Sequence, residues 1–337
     1  MVQVTDSRGT RASRPVGLVV TGTPLTIMTT ALPGGTTGAP YSQTLTASGG
    51  TPPYTWAGSL PPGLAINPLT GTISGSTATF GSMNFGVTVQ DRAGASASRG
   101  YAVSFALPLL PALSFGAISE TAAPQSQPLV QLTLANSYPA ALTGTLTLAF
   151  RADVGGDDQT VQFSSGGRTA PFTIAANGTA AVFAIPNLAM QTGTVAGLLT
   201  LTARLQAGGA DVTPSPAPTR QIRINPSPPA IAGVQSSRTS TGFTVVTNGF
   251  STTREVTQAT FHFNGAAGAD LQTTDLTMPV ASMFNSWFQS TAVTAFGSQF
   301  LFTQSFTVQG DTQAIASVTV TLSNAQGNSQ QFTAALQ

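Results

Sequence analysis

A chain of 337 residues is long enough for two to four domains, each with a core of its own, and its 35 glycines and 23 prolines, placed at short intervals, break any helical period before it is established. Asp, Glu, Lys and Arg make up only 7% of the residues and the net charge is +1, a balance that leaves no electrostatic footprint for nucleic acid, an anionic membrane or a strongly acidic substrate. All 12 basic residues are Arg and Cys is absent, which excludes disulfides and Lys-Asn cross-links, so each domain has to stand on packing alone.

The gaps between the turn residues are filled by alternating Val, Thr, Ile, Leu and Phe, which predicts an all-β chain of short strands. Val2 to Val20 can be laid on Val87 to Phe105 at a constant offset of 85, with 7 of 19 positions identical, among them Val2/Val87, Val4/Val89, Asp6/Asp91 and Gly9/Gly94. This is an internal repeat. Residues 1–22 are accordingly expected to be the last hairpin of a truncated preceding repeat, either fraying or free to pair with another chain by β-strand addition. Met1 to Asp6 has neither a basic n-region nor an apolar h-region, so a secretion signal, if there is one, is expected upstream.

Residues 23–107 read as one complete domain. Tyr41 to Ala47 is expected as a strand, and Gly49-Gly50-Thr51-Pro52-Pro53 turns the chain into Tyr54-Thr55-Trp56. Leu60-Pro61-Pro62-Gly63 makes a second corner, Gly71 to Gly75 brackets a strand holding Ile73, and Phe85 to Val89 pairs across Asp91-Arg92-Ala93-Gly94 with Ala97 to Phe105. About seven short strands, with turn signals every 8–12 residues or so, is a sandwich pattern. These residues together resemble the bacterial, cadherin-like Ig repeat of the He_PIG type, found in long surface and secreted proteins. The resemblance covers roughly a quarter of the chain, and it implies a cadherin-like β-sandwich.

Leu107-Pro108-Leu109-Leu110-Pro111 is expected to be an extended linker. Residues 108–226 follow as a second Ig-like sandwich, with strands expected at Leu129 to Ala135, Thr143 to Arg151, Gly193 to Leu205 and Arg220 to Ile224, and with Asn177-Gly178 as a type I′ hairpin turn. Pro226-Ser227-Pro228-Pro229 is expected to be a semi-rigid spacer. Residues 227–337 form a third sandwich, with strands expected at Gly242 to Thr247, Thr257 to Phe263, Leu276 to Phe284, Ser298 to Val308 and Ala314 to Leu322. No run reaches the ~18 apolar residues of a membrane helix, so membrane insertion is not expected.

Catalysis is hard to assemble from this set, and no catalytic residue and no cofactor is assigned. His262 lies between Phe261 and Phe263, so the imidazole faces water if both rings face the core. The only two glutamates are Glu120 and Glu255, and no motif accompanies them. Asp153, Asp157 and Asp158 are the densest acidic cluster. A calcium ion needs six to eight oxygens or so, which this loop could partly supply, but the spacing fits no calcium-loop motif and a solvated loop is expected instead. Asp91 and Gly94, echoed at Asp6 and Gly9, form a turn signature in which the carboxylate accepts backbone N-H groups. Phe284, Trp287, Phe288, Phe296, Phe300 and Phe302 are the densest aromatic group; most are expected in the core, and Asn285-Ser286-Trp287 is expected in a loop, which makes Trp287 a candidate ligand contact.

The resulting expectation is a non-catalytic protein of the bacterial cell surface or exterior. It would be a stalk segment or filament subunit of tandem Ig-like domains, binding its own kind through residues 1–22 or binding surface glycans or proteins. The alternative is a carbohydrate-binding or docking module of a larger secreted enzyme.

Overall fold

The computed structural model describes residues 2–15, 17 and 22–337. They fall into two compact units, Met1–Leu109 and Leu110–Gln337. Both are all-β and Ig-like, and the first of them opens with a hairpin that, among the described residues, shares no sheet with the rest.

That hairpin is β1 (Val2–Thr5) and β2 (Arg11–Arg14). The sandwich that follows has β3 (Tyr41–Thr44), β4 (Thr55–Gly58), β5 (Leu64–Ile66), β6 (Thr72–Gly75), β7 (Gly81–Gln90) and β8 (Ser96–Ala106). One sheet runs β4, β7, β8 and then the short parallel strand Gly35–Thr36; another runs β3, β6, β5. Period-two alternation sends Phe85, Val87 and Val89 from β7, and Tyr101, Val103 and Phe105 from β8, into a core shared with Tyr41, Trp56 and Ile73. Each such side chain contributes roughly 1.5–3 kcal/mol on leaving water. Gly71 has φ +69°, and a Cβ there would lie 2.8 Å from the Trp56 indole, so the turn before β6 needs glycine on both counts.

The second unit begins with β9 (Leu142–Ala152), β10 (Thr169–Ile174), β11 (Gly197–Ala207) and β12 (Thr219–Ile224), in which β9 lies between β10 and β11 and β12 flanks β11. Their inward residues, including Leu146, Leu199, Leu201 and Ile222, are completely buried. The expected strand at Leu129 to Ala135 shrinks to Thr133–Leu134. Asn177-Gly178 is not a type I′ turn, because only Asn177 has positive φ (+59°) and the connection between β10 and its neighbour Val182–Phe183 is longer than two residues.

The same unit continues with β13 (Ala230–Thr239), β14 (Gly242–Phe250), β15 (Gln258–Gly265), β16 (Asp275–Pro279), α1 (Ala281–Phe288), β17 (Gln299–Thr307), β18 (Ile315–Asn324) and β19 (Phe332–Ala335). One sheet is β13-β14-β17 and the other is β16-β15-β18, with β19 on β18. Along one side the sheets are tied together, since Arg238 N donates to Gln337 O at 2.8 Å and the Ser236 hydroxyl to Ala335 O at 2.7 Å. The strand expected from Leu276 to Phe284 stops at Pro279, and the chain turns into α1. Val280, Phe284 and Phe288 recur at four-residue spacing and are all buried, a helical period that outweighs the local β propensity. Pro226 to Pro229 is no spacer: Ser227 N donates to Thr252 Oγ1 at 2.8 Å and Ser227 O accepts from Asn324 Nδ2 at 3.1 Å, which holds the connection against the strands after it.

Candidate functional site

The repeat seen in the sequence is repeated in the pairing. β1 and β2 join Val2 to Arg14 and Val4 to Ala12, while β7 and β8 join Val87 to Arg99 and Val89 to Ala97, the same register displaced by 85 residues. The turns match as well. Asp6 Oδ1 accepts from Thr10 N at 2.9 Å and Asp91 Oδ1 from Ala95 N at 2.8 Å, while Gly9 and Gly94 share φ near +85°. These N-H groups hold both carboxyls below the usual range; Thr10 N-H is the largest influence at Asp6, and at Asp91 it is Thr51 N-H, which reaches Oδ2 at 2.8 Å.

The surroundings differ. Val87 and Val89 are completely buried in the core shared with Tyr41, Trp56 and Ile73, and β4 adds to the free side of β7 with Trp56 in register with Val89. Val2 and Val4 are 58% and 67% exposed, and β1 pairs only with β2 among the described residues. The hairpin is thus a two-stranded sheet whose core face and both outer edges are open among the described residues.

A second open edge is β17. Among the described residues it pairs only with β14. Val308 N donates across to Thr241 O, so the even-numbered residues turn their backbone groups toward β14 and the odd-numbered ones turn theirs outward. Of the outward set, Gln299 O accepts from Trp287 Nε1 at 2.8 Å and Ser305 O from Gln304 Nε2 at 2.9 Å. α1 runs beside this edge. Together they line a groove of about 320 Å³ between Trp287, Phe296, Gln299 and Leu301, and a smaller one of about 130 Å³ that adds Met283 and Thr303. Met283, Phe296 and Leu301 are exposed, and no charged residue occurs between Asp275 and Asp311. Trp287 is therefore on a helix and not in a loop. Its ring is half-buried against the core, 6.3 Å from Phe296 with 33° between the planes, and its N-H is already engaged.

The acidic cluster separates into three environments. Asp153 pairs with Arg223 in a two-pronged contact that raises the guanidinium's pKa, and Asp157 pairs with Arg168 at 2.9 Å. Asp158 is completely buried, contrary to the solvated loop expected of this stretch. Its Oδ2 accepts from Thr194 N at 2.7 Å, Thr194 Oγ1 at 3.1 Å and Val195 N at 3.2 Å, and its Oδ1 accepts from Thr160 N at 2.9 Å. Five donors, counting the Thr160 hydroxyl, occupy the carboxylate's lone pairs. The three acids thus face three different sets of partners, and among the described residues no three His, Asp or Glu side chains converge where they could hold a metal ion.

Arg254, which carried no signal in the sequence, completes this seam. It sits at φ +52° and is 7% exposed. Its Nη1 donates to Val154 O at 2.9 Å and Gly156 O at 2.7 Å, its Nη2 to Asp157 O at 3.1 Å, and its Nε to Gly297 O at 3.3 Å. Burial lowers its pKa, opposed by the charges of Asp158 and Asp157. Ser298 adds a reciprocal pair, its N donating to Thr194 Oγ1 at 2.8 Å and its hydroxyl to Thr194 O at 2.7 Å. The strands before and after Pro226 are thereby joined by buried polar bonds that water does not compete for.

The remaining titratable candidates are scattered. His262 is exposed, with Phe261 and Phe263 buried on either side, and its Nδ1 lies 2.8 Å from Asp275, whose pKa it lowers. Glu120 lies 3.7 Å from Arg220 and is almost fully exposed. Glu255 accepts from Ala325 N.

Residues 23–106 match the "Putative Ig domain" family. Among curated proteins no sequence matches this chain. Similar solved structures include extracellular cadherin domains 1–4 of protocadherin gamma B7, at 12% identity over 60% of this chain and 49% of that one with a TM-score of 0.25. A Bacteroides ovatus mixed-linkage glucan utilization protein, SGBP-B, bound to a heptasaccharide, is similar at 14% identity over 94% and 71% of the two chains with a TM-score of 0.21. The FN1–FN3 domains of chicken CNTN1 are similar at 8% identity over 93% and 97% with a TM-score of 0.23. The chain spans about half the length of the protocadherin structure.

Proposed function

We propose that this chain is a non-catalytic, extracellular structural or adhesive protein of a bacterium, a stalk segment or filament subunit that associates with its own kind by β-strand addition through residues 1–22. The observation that carries this reading is the pair of valines at Val2 and Val4. They repeat two core positions of the complete sandwich but stand in solvent, beside an edge that β4 covers in the other copy. A surface nearly free of ionised groups supports it, since uncharged faces meet without the desolvation penalty that charges carry. The Arg254 seam supports it too, because a rod element needs its sandwiches held at a fixed angle.

Sedimentation velocity over a range of protein concentrations, with negative-stain microscopy of the same samples, tests the reading. Concentration-dependent oligomers are expected. A monomer at every concentration, with its first 22 residues open to protease, would count against it.

The Trp287 groove favours one further reading, a carbohydrate-binding or docking module, in which Phe296 offers the open ring and Trp287 stiffens it from behind. Glycan-array binding that disappears in Trp287→Ala, from a protein that stays monomeric, is the result expected of that alternative.

A further inference from the structure

We infer that the acceptor for β1 is the edge of β17 on a second copy of this chain, with Val2 and Val4 seated in the two grooves between β17 and α1; the inference rests on the self-association proposed above and names its second face. The donor is characterised by its own repeat. At β7 the equivalent strand carries an added antiparallel strand on its free side, with Val87 opposite Gly58 and Val89 opposite Trp56. Among the described residues β1 presents that same side bare.

The acceptor is characterised by what its neighbours lack. In that sandwich, β13 is bonded across to the strand that follows β18, and β16 carries Asp275 and Pro279 at its ends, both of which discourage further pairing. β17 has neither charge nor proline over nine residues. Its outward groups at Gln299 and Ser305 are capped by side chains, which leaves the backbone of Leu301 and Thr303 between them for an incoming strand. A strand laid there points alternate side chains about 7 Å apart toward the same face. Val2 and Val4 have that spacing, and the grooves on either side of Leu301, lined by Trp287, Phe296 and Met283, are apolar and uncharged as the valines require. Backbone bonds then supply affinity, and the seated valines supply register. Because donor and acceptor are different surfaces, the contact is heterologous, and repeated copies extend into a filament unless the rotation closes a ring.

The test uses the full chain and three substitutions at exposed edge positions: Val4→Asp on the donor, and Leu301→Lys or Thr303→Pro on the acceptor. Val4 and Leu301 are 67% and 70% exposed, so the monomer fold should survive, and a thermal melt of each variant checks this. Sedimentation velocity from about 1 to 100 µM should show the unsubstituted chain associating, and each variant weakened at least about tenfold. An equimolar mixture of Val4→Asp and Leu301→Lys should form pairs and nothing longer, since each partner keeps one intact face. Polymers that persist in both acceptor variants but vanish in Val4→Asp would overturn β17 as the acceptor while leaving strand addition through the hairpin standing. Polymers that persist in Val4→Asp, or an unsubstituted chain that is monomeric throughout, would overturn both.

Discussion

Asp158 and Arg254 close on Gly297 from two directions without a hydrogen bond between them. The guanidinium takes the Gly297 carbonyl, and a Cβ on Gly297 would stand 2.5 Å from Asp158 Oδ1. Each ion is satisfied by neutral groups, the carboxylate by N-H and O-H donors and the guanidinium by carbonyls. Their opposite charges still offset one another in a place that water does not reach. The seam is a pair of separately solvated ions, held at the distance that one glycine allows.

Removing either ion leaves the other uncompensated. Arg254→Ala is expected to destabilise residues 110–337 by about 3–5 kcal/mol, the usual cost of breaking a buried ionic contact from one side. It should also divide a single unfolding transition into two, as the strands before and after Pro226 lose their coupling. Differential scanning calorimetry checks both, and one unshifted peak would refute the coupling.

Gly297→Ala attacks the same seam through shape. The residue has φ +65°, and the new methyl would meet Thr194 Oγ1 at 2.4 Å as well as Asp158. A loss of more than about 1 kcal/mol is expected from the backbone strain alone, measured by urea unfolding. Gly86→Ala, which meets nothing within 4 Å, serves as the control.

The two copies of the repeat allow a paired comparison. Val87→Ala should cost about 2 kcal/mol, because it removes two buried carbons and leaves a void. Val2→Ala, at the matching position, should leave the monomer's stability unchanged within about 0.5 kcal/mol. Equal losses at the two positions would mean that Val2 is buried in solution.

The pH dependence follows from Asp91. Its folded pKa is held low, first by Thr51 N-H and then by Ala95 N-H, against the opposing effect of burial. A group lowered on folding stabilises the native state above its ordinary value near about 3.9 and loses that contribution as the pH falls through the folded value. Asp91→Asn should therefore be less stable than the unsubstituted chain at pH 7. The two should converge on acidification below about pH 4, as read from urea midpoints across the range. A gap that widens toward acid would reverse the sign and refute the assignment.

What the sequence determined by itself was whatever depends on neighbours along the chain. Period-two alternation places Val87, Val89, Val103 and Phe105 inside, Asp and Gly at fixed offsets make both hairpin turns, and an offset of 85 foretells a shared register strand for strand. Even α1 has a local signal, the four-residue spacing of Val280, Phe284 and Phe288, which competes with the β propensity of the aromatic residues around it. Only the tertiary structure decided what depends on groups distant in sequence. Asp158 reads as one acid in a polar loop until Thr194 and Val195 arrive to bury it, and Arg254 is one arginine among twelve until three carbonyls a hundred residues away surround it. The open edges of β1 and β17 belong to the same class: a strand's composition fixes its wish to pair, while whether a partner lies alongside is settled by where the rest of the chain has gone.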